Sequence, residues 1–131
     1  MGHTALIFPG QGSQMVGMGR DLIETYPQVG LLYDRADVLL GLALSEICFD
    51  GPEDVLNDTV NTQPAIFVTS LATMKALEAE GALPQPEMVA GHSLGELTAL
   101  VAAGAMDFDD GLKLVRERGR LMKLAGCLLY T

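Results

Sequence analysis

The chain has 131 residues, a net charge of −9 and 49% hydrophobic side chains, enough for one domain whose core buries roughly two-thirds of the unfolded surface. Residues 1–110 carry 3 basic and 16 acidic side chains and residues 111–131 carry 5 basic and 1 acidic, so most of the surface repels nucleic acid and anionic membranes and neither is expected as a partner. Cys48 and Cys127 fit neither a disulfide framework nor a metal spacing, which argues for no metal and for a reducing compartment, the cytoplasm.

The N-terminus has no basic segment ahead of its apolar run, and Leu6 stands where a myristoylation signal has Ser or Thr. The longest apolar stretch, Leu97 to Met106, is about half a membrane span, so no membrane crossing is expected. Thr4 to Phe8 is a nearly unbroken apolar run closed by Pro9-Gly10, the pattern of a strand buried on both faces of a parallel sheet. Gly10-Gln11-Gly12-Ser13-Gln14 follows, but Met15 stands where the third glycine of a dinucleotide fingerprint falls, and no Gly-Lys-Ser/Thr occurs. A nucleotide site is therefore not expected. What remains open is a plain turn or a loop that brings a backbone N–H to a site elsewhere.

Helices are expected over Gly17–Thr25, over Val29–Leu40 with Leu31, Leu32, Ala36 and Leu39 on one stripe, and in short pieces over Leu42–Cys48 and Pro52–Leu56. Pro64 is expected to start a long helix that carries Phe67, Leu71, Met74 and Leu77 as a core stripe and ends at Gly81. Leu83-Pro84-Gln85-Pro86 connects it to Met88-Val89-Ala90, a second strand. The sequence then reads Gly91-His92-Ser93-Leu94-Gly95-Glu96, and Leu94 to Ala103 has the composition of a helix. Gly91-x-Ser93-x-Gly95 fits a nucleophile elbow, a strand-to-helix turn so tight that side chains two before and two after the serine would collide. The alternative is an ordinary Gly-rich turn with an N-capping serine. In the first case the serine oxygen stands at a helix N-terminus, where free N–H groups stabilise developing negative charge.

The last helix is expected over about 108–125. At 100° per residue, Lys113, Arg116, Arg120 and Lys123 share a solvated face, while Leu114, Val115, Leu121 and Met122 share the apolar one. Arg118 falls in the middle of the apolar face. A guanidinium there needs an anion, supplied either by a structural carboxylate or by a substrate, and its planar fork suits a carboxylate. A raised serine, a neighbouring loop amide and an inward arginine together suit acyl transfer to Ser93 from an acidic acyl group. The only histidines are His3, near the N-terminus, and His92, whose side chain points away from that of its neighbour Ser93 at a strand end. His92 is expected to orient the turn through a hydrogen bond, and the chain holds no histidine placed to act as general base.

Phe8-Pro9-Gly10-Gln11-Gly12-Ser13-Gln14, Asn61-Thr62-Gln63-Pro64-Ala65, Gly91-His92-Ser93-Leu94-Gly95-Glu96 and Arg118-Gly119 occur in the order and spacing that resemble the N-terminal part of malonyl-CoA:acyl-carrier-protein transacylases. The resemblance implies a ping-pong reaction of fatty-acid biosynthesis in which malonyl passes from coenzyme A to a serine and then to the phosphopantetheine thiol of acyl carrier protein, with no resident cofactor and a coenzyme A thioester as substrate. It implies Ser93 as nucleophile, the N–H groups of Gln11 and Leu94 as oxyanion hole, Arg118 and Gln63 as substrate-binding residues, and Gly91, His92 and Gly95 as support for the elbow. Leu94 leans toward malonyl, since methylmalonyl-selective relatives tend to have Gln there. The fold implied is α/β, a partial α/β-hydrolase-like three-layer core with a short parallel sheet. Residues 1–131 would be the N-terminal portion of the catalytic domain, lacking the ferredoxin-like subdomain and the later core that carries the catalytic histidine. The alternatives are a non-catalytic fragment that binds carrier protein or a complementary chain, and an acyltransferase module of a polyketide synthase.

Overall fold

The computed structural model describes residues 2–129, with side chains through Gly126. Strand β1 (Ala5–Phe8) leads into helices α1 (Arg20–Thr25), α2 (Gly30–Leu40), α3 (Leu44–Asp50), α4 (Glu53–Leu56) and α5 (Thr59–Ala79). Strand β2 (Met88–Gly91) follows, then α6 (Gly95–Ala102) and α7 (Phe108–Leu129). The two strands pair in parallel, Ala5 opposite Met88 and Phe8 opposite Gly91, so the chain is a mostly helical α/β structure with a short parallel sheet. The long crossover between the strands is what parallel pairing requires.

Helix α5 is the axis of the core. Ala65, Ile66, Phe67, Val68, Leu71, Ala72 and Ala76 are buried along it, each large side chain contributing roughly 1.5–3 kcal/mol. Tyr33, Leu44, Cys48, Leu56, Leu112 and Val115 close around them from other helices, and Leu94 from the turn before α6. Burial pushes the Cys48 thiol up to about 12 and raises the Tyr33 hydroxyl as well, although its hydrogen bond with Thr69 at 2.8 Å opposes that rise.

Three expectations are corrected. Strand β1 is not buried on both faces: Ala5 and Ile7 share one sheet face with Met88 and Ala90, all exposed, while Phe8 on the other face is buried. In α2 the expected Leu32, Ala36 and Leu39 do pack on the core, but Leu31 is exposed and Tyr33 is buried in its stead. In α5 the helix begins five residues before Pro64, because the Asp58 side chain caps it by accepting from Val60 N–H at 3.1 Å.

Pro64 therefore lies inside the helix. Its missing N–H would have bonded the Val60 carbonyl one turn earlier. Arg116 takes that place, donating from Nη1 to Val60 O at 2.7 Å and to Asn61 Oδ1 at 2.8 Å. Arg116 is thus half-buried against α5, not on a solvated face, and the loss of hydration lowers its pKa while Asp58 opposes that.

Candidate active site

Ser93 is the one described residue other than glycine with a positive φ, 56°, a conformation normally disfavoured by the Cβ. It occupies the turn between β2 and α6 because the backbone there has no room to relax. A Cβ at position 91 would lie 1.9 Å from Gly95 C, and a Cβ at position 95 would lie 2.2 Å from Phe8 O. His92 N–H donates to Phe8 O at 3.0 Å, and Gly95 N–H donates to His92 O at 2.9 Å. His92 thus braces the turn through its backbone. Its ring is exposed and makes no hydrogen bond among the described residues.

The loop after β1 lies beside this turn. A Cβ on Gly10 would come within 2.5 Å of His92 O, so loop and turn touch backbone to backbone. The N–H groups of Gln11 and Leu94 donate to no other group among the described residues. The loop is tied down by side chains: Thr59 Oγ1 donates to Gln11 Oε1 at 3.0 Å, and Gln14 Nε2 donates to Asn57 Oδ1 at 2.8 Å.

Arg118 arrives from α7. Its Nη2 donates to Ser93 Oγ at 3.0 Å and its Nη1 to Gln63 Oε1 at 2.7 Å, with Met122 Sδ 3.1 Å from Nη1. None of the ion pairs among the described residues includes Arg118, so of the two anions its position allowed, a structural carboxylate is not the one seen. The three side chains Ser93, Arg118 and Gln63 meet although 55 residues separate the last two and 25 the first two.

Helix α7 can bring the guanidinium this close because its contact face is small. A Cβ on Gly119 would lie 2.8 Å from Thr59 O, and one on Gly111 would lie 2.9 Å from Phe67 Cζ. Glycine costs a helix roughly 1 kcal/mol per position, a cost offset here by the close approach to α5. The buried residues of α7 are Gly111, Leu112, Val115 and Gly119, while Leu114, Leu121 and Met122 are exposed. The apolar residues expected in the core thus line a cavity of about 540 Å³ together with Ser93, Glu96, Leu97, Glu117, Arg118 and Ala125. A mostly apolar trough lined also by a serine and a guanidinium can hold an acyl group and orient it by a charged end.

Sequence reasoning missed Thr59, Arg116 and Met122. Thr59 and Arg116 act across the junction of two helices distant in sequence, and no local pattern reports such a pair. Met122 stands four residues after Arg118, on the same side of the helix, a spacing that could have pointed to it. Among the described residues there is no cluster of potential metal ligands, and no helix is long and apolar enough to cross a membrane.

Residues 5–126 match the acyl transferase domain family. The malonyl CoA-acyl carrier protein transacylase of Bacillus subtilis is 46% identical over 125 residues, 95% of this chain and 39% of that protein. An acyl carrier protein S-malonyltransferase structure from Vibrio cholerae is 48% identical with a TM-score of 0.86, covering 91% of this chain and 39% of that one. A malonyl-transacylase solved in complex with its type II polyketide synthase acyl carrier protein is 43% identical with a TM-score of 0.89, covering 95% of this chain and 40% of that one. The chain thus spans about two-fifths of the length of the relatives it matches. Carrying the strand-turn-helix serine and the inward arginine in a sequence that matches over nearly its whole length, the chain belongs to the acyl transferase domain family.

Proposed function

We propose that this chain carries the acyl-accepting part of a malonyl-transfer site, the N-terminal portion of a catalytic domain that moves malonyl from coenzyme A to acyl carrier protein in fatty-acid biosynthesis in the cytoplasm. The observation that carries the reading is Arg118 Nη2 at 3.0 Å from Ser93 Oγ, in a guanidinium that has no carboxylate partner among the described residues. The free carboxylate of a malonyl thioester lies two bonds from the carbonyl carbon that a serine attacks. An arginine held beside the serine meets that carboxylate as the oxygen meets the carbon.

The turn acts as a nucleophile elbow. Ser93 Oγ bonds to the thioester carbonyl, the negative charge gathers on the carbonyl oxygen, and the N–H groups of Gln11 and Leu94 receive it. The C–S bond then breaks and the coenzyme A thiol leaves with a proton, giving a serine ester. Attack by the phosphopantetheine thiol of carrier protein reverses these steps onto the new sulfur. No resident cofactor enters; coenzyme A is part of the substrate. Neither His3 nor His92 bonds Ser93 Oγ, so the base that takes the serine proton comes from the rest of the domain.

Arg118→Ala tests the reading through selectivity. Loss of a charge-assisted pair of hydrogen bonds predicts at least about a tenfold fall in acylation by malonyl-CoA and little change with acetyl-CoA. Equal losses with both would make Arg118 a structural residue. A second reading, a chain that works only with a complementary chain, is favoured by the exposed sheet face on which Ile7 is 76% accessible.

A further inference from the structure

Four polar side chains from three parts of the fold form one continuous run. Arg118 Nη1 donates to Gln63 Oε1 at 2.7 Å, Gln63 Nε2 donates to Thr59 Oγ1 at 3.0 Å, and Thr59 Oγ1 donates to Gln11 Oε1 at 3.0 Å. Its polarity is set at the arginine end. A guanidinium has only donors, so Gln63 turns its oxygen toward Arg118 and its nitrogen toward Thr59, and the single hydroxyl proton of Thr59 then goes to Gln11. The hydroxyl is held in place by its backbone, the first residue of α5, whose carbonyl would be 2.8 Å from a Cβ on Gly119.

We infer that Thr59 is a positioning residue that couples the acyl-carboxylate end of the site to the oxyanion loop. The inference rests on the malonyl-transfer reading above. Thr59 fixes the orientation of the Gln63 carboxamide, and the carboxamide fixes the guanidinium over Ser93. Through Gln11 the same hydroxyl anchors the loop whose N–H is assigned to the oxyanion. Without it, Gln63 Nε2 keeps only Met122 Sδ at 3.3 Å, a weak acceptor. The carboxamide can then turn its NH2 toward the guanidinium, donor against donor, and push Arg118 away from the serine.

The experiment compares the 131-residue chain with Thr59→Val and Thr59→Ser. One readout is the pair of Gln63 side-chain N–H signals in a 15N–1H spectrum; the other is the rate of Ser93 acylation by malonyl-CoA and by acetyl-CoA, followed by intact mass. Thr59→Val shifts the Gln63 signals and lowers the malonyl rate about fivefold relative to the acetyl rate, as the loss of the one neutral hydrogen bond that orients Gln63 predicts. Thr59→Ser restores both. An unchanged malonyl-to-acetyl ratio in folded Thr59→Val, or a Thr59→Ser variant that behaves like it, overturns the inference. Should Thr59→Val not fold, Thr59→Ala removes the hydroxyl without branching and gives the same comparison. A wild-type chain acylated by neither thioester sinks the functional reading, while the Gln63 signals still decide whether Thr59 orients the carboxamide.

Discussion

Ser93 and the glycines on either side of it show how far local sequence reaches. Gly91-x-Ser93-x-Gly95 implies its own reason, because a crowded turn leaves no room for a Cβ two residues either way, and the distances of 1.9 and 2.2 Å give that crowding a size. Gly95→Ala drives a methyl group into the Phe8 carbonyl, a backbone atom that cannot rotate aside, so it should destabilise the chain by about 3 kcal/mol or more. Gly126→Ala, with open space around its Cβ, should be neutral or slightly stabilising in the same urea titration. Similar losses at both positions would refute the close contact. Arg118 was legible as an inward charge from helical periodicity alone, but its partners were not. They come from Gln63 and Ser93, brought in by a tertiary junction that no spacing rule encodes. His92 was legible as part of the turn, yet the hydrogen bonds it makes among the described residues come from N–H and C=O, which every residue has.

At the scale of elements, the reading of α5 failed for a reason that is itself informative. Proline is favoured in the first helical turn, but Pro64 sits deeper, and the helix tolerates it because Arg116 from α7 occupies the carbonyl it leaves unpaired. A tertiary contact overrides the local preference. The same junction is closed by Asp58, which caps α5 and pairs with Lys123 Nζ at 2.5 Å. The hydrogen bond from Lys123 holds the Asp58 carboxyl below its ordinary range, against an opposing effect of burial. A carboxyl whose folded pKa is depressed stabilises the fold above its unfolded pKa, and that contribution is lost as pH falls through the folded value. Asp58→Asn keeps a capping oxygen and removes the charge, so its deficit relative to wild type should be present at pH 7 and vanish in acid. Asp58→Ala should cost about 1 kcal/mol more from the lost cap and retain that part at every pH. A pH-independent deficit for Asp58→Asn would contradict the Asp58–Lys123 link.

For the whole molecule, the α/β class, the two strands and the order of helices were readable because strands and helices differ in period and in punctuation. The degree of burial was not. An unbroken apolar run such as Ala5 to Phe8 states which faces can be covered and not which ones are, and here Ile7 and Met88 are 76% and 59% accessible. Likewise Leu121 and Met122, apolar by pattern, line the trough beside Ser93, while α7 packs on the core through two glycines, Leu112, Val115 and Phe108 against Phe67. Ile7→Ser should therefore change the unfolding free energy by no more than about 0.5 kcal/mol; a loss of the size seen for core residues would mean that this sheet face is covered in solution.

Acylation of Ser93 is the claim on which the rest depends. Enzymes that lose one member of a catalytic triad keep roughly 10³–10⁴-fold acceleration over water from the oxyanion hole and binding, so a slow adduct is measurable even with the base supplied from elsewhere. The chain is incubated with malonyl-CoA and its intact mass recorded over time, with circular dichroism to establish that it is folded. A single malonyl adduct that is absent from Ser93→Ala is the predicted result. A folded chain that forms no adduct, or an adduct that persists in Ser93→Ala, would contradict it.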